Sequence, residues 1–261
     1  MFEVIVLASG SSGNAQLVLA GGTKILVDTG LSARKLASHL EESGVRPGEL
    51  DAILLTHEHG DHTSGLKVFT SKHDVPVFAT RLTADALRKT CSAVRWTFFS
   101  SGSRFAIGEI EVQAFTVPHD ASDPVGFVLR HGAESFGILT DLGYAAGHIA
   151  ETVRGVGALF IEANYDERLL AADTKRPWPV RQRIQSRHGH LSNGAAAELV
   201  GRIATDALRN VFLGHLSNDC NTPELAKKTV EDHLSAQGLR GVGVHCIAQS
   251  ERPRRFLLHQ S

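Results

Sequence analysis

The sequence feature that most constrains the fold is the run His57-Glu58-His59-Gly60-Asp61-His62, which follows the apolar residues 51–56 directly. Four of its side chains, His57, His59, Asp61 and His62, are potential metal ligands. They cannot all share one face of a helix or strand, because side chains repeat every 3.6 or 2 residues there. In an irregular segment at a strand's end they can converge. Imidazole and carboxylate groups are usual ligands of zinc, iron and manganese. The run therefore predicts a strand that ends in a metal-binding loop.

Three further residues follow a predicted strand in the same way. His119 comes after residues 110–117, Asp141 after 136–140, and His215 after 211–214. Each alone is also compatible with a capping or loop residue. Because strand ends meet at one edge of a sheet, ligand-type residues at four strand ends together predict a single cleft.

Hydrophobic periodicity and turn residues predict many strands early in the chain and an alternation of strands and helices later. The predicted strands are residues 2–7, 15–19, 24–27, 51–56, 75–79, 97–99, 104–107, 110–117, 126–130, 135–139, 156–161, 211–213, 241–247 and 255–258. The predicted helices are residues 32–43, 63–72, 83–90, 180–186, 193–208 and 222–237. This order favours two packed sheets with helices outside them. With no repeat or linker in the sequence, we expect one domain over residues 1–261.

Composition and charge restrict the class of protein. Of the 261 residues 42% are hydrophobic and 21% charged, which indicates a folded chain with a core. A net charge of −1 argues against binding nucleic acid by bulk charge, although a local basic surface stays compatible. No apolar run is long enough to span a membrane, so we expect no membrane partner. The cysteines, Cys91, Cys220 and Cys246, cannot all pair with one another, and residues 1–20 lack a basic start. Both features predict an unprocessed cytoplasmic protein.

In this order along the whole chain, the ligand-type residues resemble the pattern of the metallo-β-lactamase superfamily, His-x-His-x-Asp-His followed by a later His, an Asp and a final His. The resemblance implies an α/β fold class, the four-layer αββα sandwich, with a two-metal site at one edge. It also implies a ligand for each metal position. The first metal would be held by His57, His59 and His119, the second by Asp61, His62 and His215, and both would be bridged by Asp141.

The charge of such a site indicates its chemistry. Two divalent cations against two carboxylates leave about +2 if the histidines are neutral. That charge favours hydroxide and an anionic substrate such as a phosphodiester. Asp61 could orient or deprotonate the attacking water. Sites of this composition accept Zn, Mn or Fe, so the identity of the metals stays open.

Other segments narrow the resemblance. Residues 213–221 (Leu-Gly-His-Leu-Ser-Asn-Asp-Cys-Asn), together with 116–126, 140–143 and 177–184, are similar to the WalJ (YycJ) group. Its members are described as single-stranded DNA 5′→3′ exonucleases. Ribonuclease Z and the phosphodiesterase PhnP are more distantly similar. The resemblance implies a metal-dependent phosphodiesterase whose substrate is single-stranded nucleic acid.

His190 precedes the predicted helix 193–208 in the segment Gly189-His190-Leu191-Ser192-Asn193. Ser192 or Asn193 would cap this helix, and its N-terminus could favour a phosphate. A lone histidine before a helix is also typical of a plain surface residue. Its position between Asp141 and His215 resembles the catalytic or phosphate-contacting histidine of ribonuclease Z and PhnP. That resemblance implies that His190 protonates a leaving oxygen.

A turn of small residues follows the first predicted strand. Residues 7–14 read Leu-Ala-Ser-Gly-Ser-Ser-Gly-Asn. Backbone N–H groups in such a turn can approach an anion, which makes Ser11, Ser12 and Asn14 candidate substrate contacts. A tight turn without a ligand is equally compatible with this composition.

Residues 174–187 are basic, with one aromatic side chain and no acid. Trp178 can stack a base, and Arg181 and Arg183 can pair with phosphates, as a single-strand track requires. The other basic residues of the segment are Lys175, Arg176 and Arg187. A solvated helix face is the alternative interpretation.

Several functions stay open on the sequence. The leading hypothesis is a single-stranded DNA exonuclease, and the nearest alternative is a small-molecule phosphodiesterase. A glyoxalase II-like thioester or lactone hydrolase uses nearly the same ligands but needs neither His190 nor a basic segment. A non-catalytic binding module is disfavoured by the complete ligand set. The oligomeric state is not indicated.

Overall fold

The structure, a computed structural model, describes residues 2–247 and 252–258. These residues form two units of internal contacts. Unit 1 comprises the described residues of 2–116, 121–134 and 252–258, and unit 2 comprises 117–120 and 135–247. The prediction of one domain over residues 1–261 stays a prediction.

The strands are numbered in chain order: β1 (Phe2–Ala8), β2 (Ala15–Ala20), β3 (Thr23–Val27), β4 (Ala52–Leu54), β5 (Val77–Thr80), β6 (Trp96–Phe99), β7 (Arg104–Ile107), β8 (Ile110–Thr116), β9 (Val125–His131), β10 (Glu134–Leu139), β11 (Ala158–Glu162), β12 (Asn210–Gly214), β13 (Gly243–Cys246) and β14 (Arg254–Leu258).

The helices are numbered likewise: α1 (Ala33–Glu42), α2 (Gly60–Thr63), α3 (Leu66–Thr70), α4 (Arg81–Leu87), α5 (Gly147–Val153), α6 (Glu167–Ala172), α7 (Trp178–Gln185), α8 (Asn193–Ile203) and α9 (Pro223–Ala236). A short 3₁₀ turn covers Pro47–Glu49.

Unit 1 contains a mixed sheet with the strand order β14-β1-β2-β3-β4-β5-β6. The hairpin between β2 and β3 turns at Gly21-Gly22. From β3 to β6 the strands are parallel, with Leu26 paired to Ile53. Their carboxyl ends therefore lie at one edge of the sheet, where polar residues follow β3 and β4. Strands β7, β8 and β9 of unit 1 are antiparallel.

Helix α1 shows how the sequence positions a helix on this sheet. Ser32 caps it, with its hydroxyl accepting from the Lys35 amide. Leu36 and Leu40 recur on one face and are fully buried in the core cluster that also contains Leu17. Burying this face, rather than intrinsic helix propensity, supplies most of the stability of such a helix.

Unit 2 contains four strands, β10 to β13, that run parallel in that order within the described residues. Phe160 of β11 pairs with Phe212 of β12 in the middle of this sheet. Asp141, Glu162 and His215 lie at or just beyond the carboxyl ends of β10, β11 and β12. Parallel strands thus bring the ligand-type residues of unit 2 to one edge.

Some element boundaries differ from the prediction. The predicted helix 63–72 is two short helices, because the Gly65 amide between them donates to the Thr29 carbonyl oxygen at 2.9 Å and not to a helical partner. Helix α2 starts at Gly60, so Asp61 and His62 lie in a helical turn rather than in a loop. The predicted helix 193–208 ends at Ile203. Helices α5 and α6 are absent from the prediction, and α5 begins without any side-chain cap that would mark it.

Within the described part of the chain, no helix is both long and apolar enough to cross a membrane. Cys91, Cys220 and Cys246 all lie in this part, and none of them forms a disulfide.

The close approach of Gly30 to the ligand segment gives a first prediction. A Cβ on Gly30 would lie 1.7 Å from the Asp61 carbonyl oxygen and 2.5 Å from the Asn14 amide nitrogen. We expect Gly30→Ala to lower the free energy of unfolding by about 1–3 kcal/mol, as overpacking does. Urea unfolding measures this change. Gly48→Ala is the control, since its Cβ would meet nothing within 4 Å. Equal midpoints for the two variants would contradict the close packing.

Candidate active site

The ligand-type residues of unit 1 form one cluster at the end of β4 and the start of α2. His57 and His62 are buried, with ring centroids 4.3 Å apart. His59 packs edge-on against His57 at 4.6 Å. The Asp61 carboxylate lies 3.4 Å from His62 Nε2. Unit 1 therefore brings together the four residues that the sequence analysis predicts as ligands in this segment.

A residue that the sequence analysis missed, Asp28, supports this cluster. Its carboxylate accepts hydrogen bonds from the Thr56 amide and hydroxyl, both at 2.9 Å, and lies 2.7 Å from His62 Nδ1. The Thr56 hydroxyl in turn lies 3.0 Å from His57 Nδ1. A carboxylate on one imidazole nitrogen is the usual way in which a protein orients a histidine toward a metal through the other nitrogen. The sequence offers one signal for Asp28, since this carboxylate directly follows strand β3.

Asn14 is the link between the small-residue turn and the ligands. It is 3% exposed. Its side-chain carbonyl accepts from the Gly10 amide at 3.0 Å, and its Nδ2 lies 3.3 Å from an Asp61 carboxylate oxygen and 3.1 Å from His62 Nε2. Asn14 thus holds Asp61 and His62 in place. Ser11 and Ser12 are exposed on the same turn, and their predicted contact with substrate stays a prediction.

Unit 2 contains a second cluster. One ligand atom from each of Asp141, Glu162, His190 and His215 lies within 4.8 Å of the others. The Asp141 carboxylate is 3.5 Å from His215 Nε2 and 3.6 Å from His190 Nδ1. Asp141 and His215 both have positive φ angles, 55° and 54°, as does Asp28 at 61°. Such backbone conformations in residues other than glycine are typical of functional sites.

Glu162 is the central acceptor of the unit 2 cluster and was not predicted. Its fully buried carboxylate accepts from the amides of Leu142 and Leu191 at 2.7 and 3.1 Å. It also lies 3.0 Å from His190 Nδ1 and 3.4 Å from His215 Nδ1. Burial raises the pKa of Glu162, but the charge of His190 and the hydrogen bonds from both histidines outweigh it and lower the pKa below its usual value. The carboxylate is therefore ionised.

Three candidate site histidines of unit 2, His119, His190 and His215, are each oriented through Nδ1. His119 Nδ1 lies 3.2 Å from the Gly189 carbonyl oxygen, and burial lowers the pKa of His119. Asn164 donates to the His215 carbonyl at 2.9 Å and has its amide 3.2 Å from His215 Nδ1. For His190, burial lowers the pKa, but the charge of Glu162 and its hydrogen bond raise the pKa above the usual value overall. His190 therefore carries a proton more readily than His119.

The two residues after Leu191 hold helix α8. Ser192 caps it, because its hydroxyl accepts from the Ala195 amide at 3.1 Å, which confirms one of the two predicted caps. Asn193 is fully buried and exchanges amide hydrogen bonds with Asn221 at 2.8 and 2.9 Å. Both side chains thus have structural partners, and their predicted contact with substrate stays untested.

The basic residues of 174–187 are engaged by groups from elsewhere in unit 2. Lys175 and Arg176 pair with Asp219, and Arg176 also pairs with Asp173, whose pKa this hydrogen bond lowers to about 2. In the rest of the segment, Arg183 pairs with Asp120 at 2.5 Å, Arg181 donates to the Ala171 carbonyl, and Arg187 lies 4.3 Å over the Tyr144 ring.

Trp178, by contrast, is 62% exposed at the start of helix α7. Part of the predicted cationic track is therefore neutralised within the protein, while its aromatic side chain is accessible. Contact of Trp178, Arg181 and Arg183 with substrate stays a prediction.

This arrangement of ligands at strand ends agrees with the family to which the sequence belongs. Residues 23–215 match the beta-lactamase superfamily domain. The chain is a member of that superfamily, as its ligand pattern predicts.

Two relatives specify the branch. The chain is 38% identical to exodeoxyribonuclease WalJ of Streptococcus pneumoniae over 248 residues, which cover 93% of this chain and 91% of that protein. It is 35% identical to exodeoxyribonuclease YycJ of Bacillus anthracis over 241 residues, which cover 91% and 90%. Both confirm the resemblance to the WalJ (YycJ) group.

A solved structure confirms the fold. The metallo-β-lactamase-fold protein YhfI of Bacillus subtilis superimposes with a TM-score of 0.76 at 15% identity, over 98% of this chain and all of that chain. The predicted fold class, the αββα sandwich of metallo-β-lactamase-fold proteins, is therefore correct.

Asp28 gives the prediction that follows from the site. Asp28→Ala removes the only carboxylate that the described structure offers to the Thr56 amide, the Thr56 hydroxyl and His62 Nδ1 together. Because these groups are buried, we expect the free energy of unfolding to fall by about 3 kcal/mol. Urea unfolding in the presence of EDTA measures the loss without any contribution from metals.

Asp51→Ala is the matched control, because Asp51 also accepts from a backbone amide, that of Lys24, but at the surface. Its loss should cost about 1 kcal/mol or less. If Asp28→Ala were no less stable than Asp51→Ala, the buried carboxylate would not have the supporting role described.

Proposed function

We propose that this chain is a metal-dependent phosphodiesterase that removes nucleotides from the 5′ end of single-stranded DNA. The observation that carries the proposal is the complete His/Asp ligand set, whose histidines are oriented by buried protein groups. Relatives that cover nearly the whole chain and are named exodeoxyribonucleases support the choice of substrate. Three cysteines without disulfides support a cytoplasmic location.

The ligand set fits two divalent metals. We assign His57, His59 and His119 to the first, Asp61, His62 and His215 to the second, and Asp141 to both. The chemistry of the donors supports this, since imidazole with carboxylate suits Zn, Mn and Fe. The orientation of the rings supports it as well. His62, His119 and His215 each have Nδ1 next to a protein group, at 2.7, 3.2 and 3.2 Å, and we assign Nε2 as the ligand atom of each.

When bound, two metals would supply Lewis acidity to a water molecule and to the phosphodiester. The protein's own residues have separate tasks. Asp61 orients the attacking water, and Asn14 fixes the position of the Asp61 carboxylate. His190 donates a proton to the leaving 3′ oxygen through Nε2, because Nδ1 faces Glu162 at 3.0 Å. Glu162 therefore orients the acid and raises its pKa at the same time.

Substrate preference is the first test. The measurement is cleavage of 5′-phosphorylated single-stranded DNA by protein loaded with Mn²⁺ or Zn²⁺, with bis-p-nitrophenyl phosphate and a thioester as parallel substrates. We expect stepwise loss of nucleotides from the 5′ end. Turnover of the small diester alone would indicate a small-molecule phosphodiesterase. Thioester turnover without phosphodiester cleavage would indicate a glyoxalase II-like hydrolase and would refute the proposal.

The role of His190 gives a second prediction. We expect His190→Ala to lower the rate of phosphodiester cleavage by about 10²-fold or more, because the leaving oxygen loses its proton donor. Metal content, measured by mass spectrometry of the metals, should stay near that of the wild type. His188→Ala is the matched control, since His188 is exposed two residues away. Unchanged cleavage by His190→Ala would remove His190 from the mechanism.

Asp61→Ala should behave differently, because Asp61 is assigned as a metal ligand. We expect it to lose metal and cleavage together. A variant at this position with full metal content and full activity would refute the ligand assignment.

A further inference from the structure

Unit 1 has an aromatic groove that none of the residues assigned above accounts for. It has a volume of about 450 Å³ and is lined by residues of β5, β6, β7 and the start of α4. The residues that carry the argument are Phe78, Arg81, Phe98, Phe99, Ser103 and Phe105. Strand β6 is the last strand of its sheet, so this side of the groove is at the sheet's edge.

A cation and an aromatic ring lie together at the surface of the groove. The Arg81 guanidinium carbon is 4.1 Å from the centre of the Phe98 ring. Phe98 is 45% exposed, so its ring is accessible at the surface. No described carboxylate forms an ion pair with Arg81, and none of the described lining residues is acidic. Arg81 thus differs from the basic residues of 174–187, whose charges and N–H groups are engaged within the protein.

The wall behind this pair consists of stacked aromatic rings and has one unsatisfied polar group. Phe105 stacks on Phe78 with ring centres 5.7 Å apart and on Phe99 at 5.2 Å. The Ser103 hydroxyl is buried and makes no hydrogen bond with any described residue. A ligand with a flat ring and a polar edge would use both the stacking surface and this hydroxyl.

The groove lies near the carboxyl ends of the parallel strands of unit 1, as does the segment that carries the proposed metal ligands. Strands β4, β5 and β6 are parallel neighbours, so the carboxyl end of β6 is about 10 Å from that of β4 at about 4.8 Å per strand. Residues 122 and 123 form hydrogen bonds both to the ligand segment and to the residue that precedes helix α4 at the groove. Ser122 donates its amide and hydroxyl to Glu58 at 2.7 and 2.6 Å, and Thr80 donates its hydroxyl to the Asp123 carbonyl at 3.5 Å.

We propose that this groove binds an unpaired base of single-stranded nucleic acid, stacked on the Arg81–Phe98 pair, with Arg81 next to a backbone phosphate. The inference rests on the proposed function, because it names a binding subsite for that substrate. Bases stack on aromatic rings and on guanidinium planes alike, which makes such a pair tolerant of sequence.

Charge favours nucleic acid over a protein partner. An aromatic surface alone would suit an apolar side chain of another protein or of a second copy of this chain. A guanidinium without an acidic neighbour, stacked on that surface, instead matches a phosphate attached to a base. The short distance to the ligand segment also suits a polymeric substrate whose end is cleaved there.

The test is binding of a 3′-fluorescein-labelled oligothymidylate of about ten nucleotides, followed by fluorescence anisotropy in EDTA so that no cleavage occurs. We expect Phe98→Ala to weaken binding about tenfold, since one base loses its stacking partner. Phe98→Tyr should bind like the wild type. Arg81→Ala should also weaken binding and lower the slope of log affinity against log salt by about one.

Arg88→Ala is the matched control, because Arg88 caps the end of the same helix and pairs with Asp85. It should bind within about twofold of the wild type, as expected of an arginine outside the interface. Thermal melting verifies that each variant is folded.

Three results would overturn the groove proposal. The first is wild-type affinity in both Phe98→Ala and Arg81→Ala. The second is a loss of affinity in Trp178→Ala but not in Phe98→Ala. The third is a Phe98→Ala variant that changes oligomeric state while its DNA binding is unaltered. Since binding is measured without catalysis, a wild-type chain that binds the oligonucleotide through Phe98 but cleaves no DNA would refute only the proposed exonuclease activity.

Discussion

A buried carboxylate behind the candidate histidines is the constraint on which the cluster of each unit depends. In unit 1 the carboxylate is Asp28, which accepts from Thr56 and contacts His62 Nδ1. In unit 2 it is Glu162, which contacts His190 and His215 through Nδ1 and accepts from two amides. A buried charge is stable only when it is paired and hydrogen-bonded, so each carboxylate fixes the groups around it. The protein's own contacts thereby hold these side chains in place.

Backbone strain accompanies this arrangement. Asp28, Asp141 and His215, the residues with positive φ outside glycine among those described, all follow a strand at the site. Each such conformation costs about 1–3 kcal/mol, which the surrounding packing has to offset. The strands that precede them are buried and paired on both sides, so the sheet can hold a strained residue at its edge. The fold thus supplies the rigidity that the site requires.

The sequence predicted the fold class and most strands, because these depend on local signals. The ligand set rests on the same signals and stays a prediction. The run from His57 to His62 and the apolar strands before His119, Asp141 and His215 are readable without a structure. Asp28 directly follows a strand and Glu162 is the last residue of one, but this position alone does not separate a supporting carboxylate from a loop residue. The partners of the 174–187 segment, Asp120 and Asp219, are distant in sequence, so its neutralisation could not be predicted. The Arg81–Phe98 contact likewise depends on the tertiary structure, because it joins the start of a helix to an edge strand, and it could not be predicted from the sequence.

We propose that seven side chains of this chain hold two divalent metals. Anomalous diffraction from crystals grown with Mn²⁺ or Zn²⁺ is the decisive measurement, because it locates each metal among its ligands. We expect two peaks. One would be bound by His57, His59 and His119, the other by Asp61, His62 and His215, and Asp141 would contact both. A single peak, or peaks bound by other residues, would contradict it.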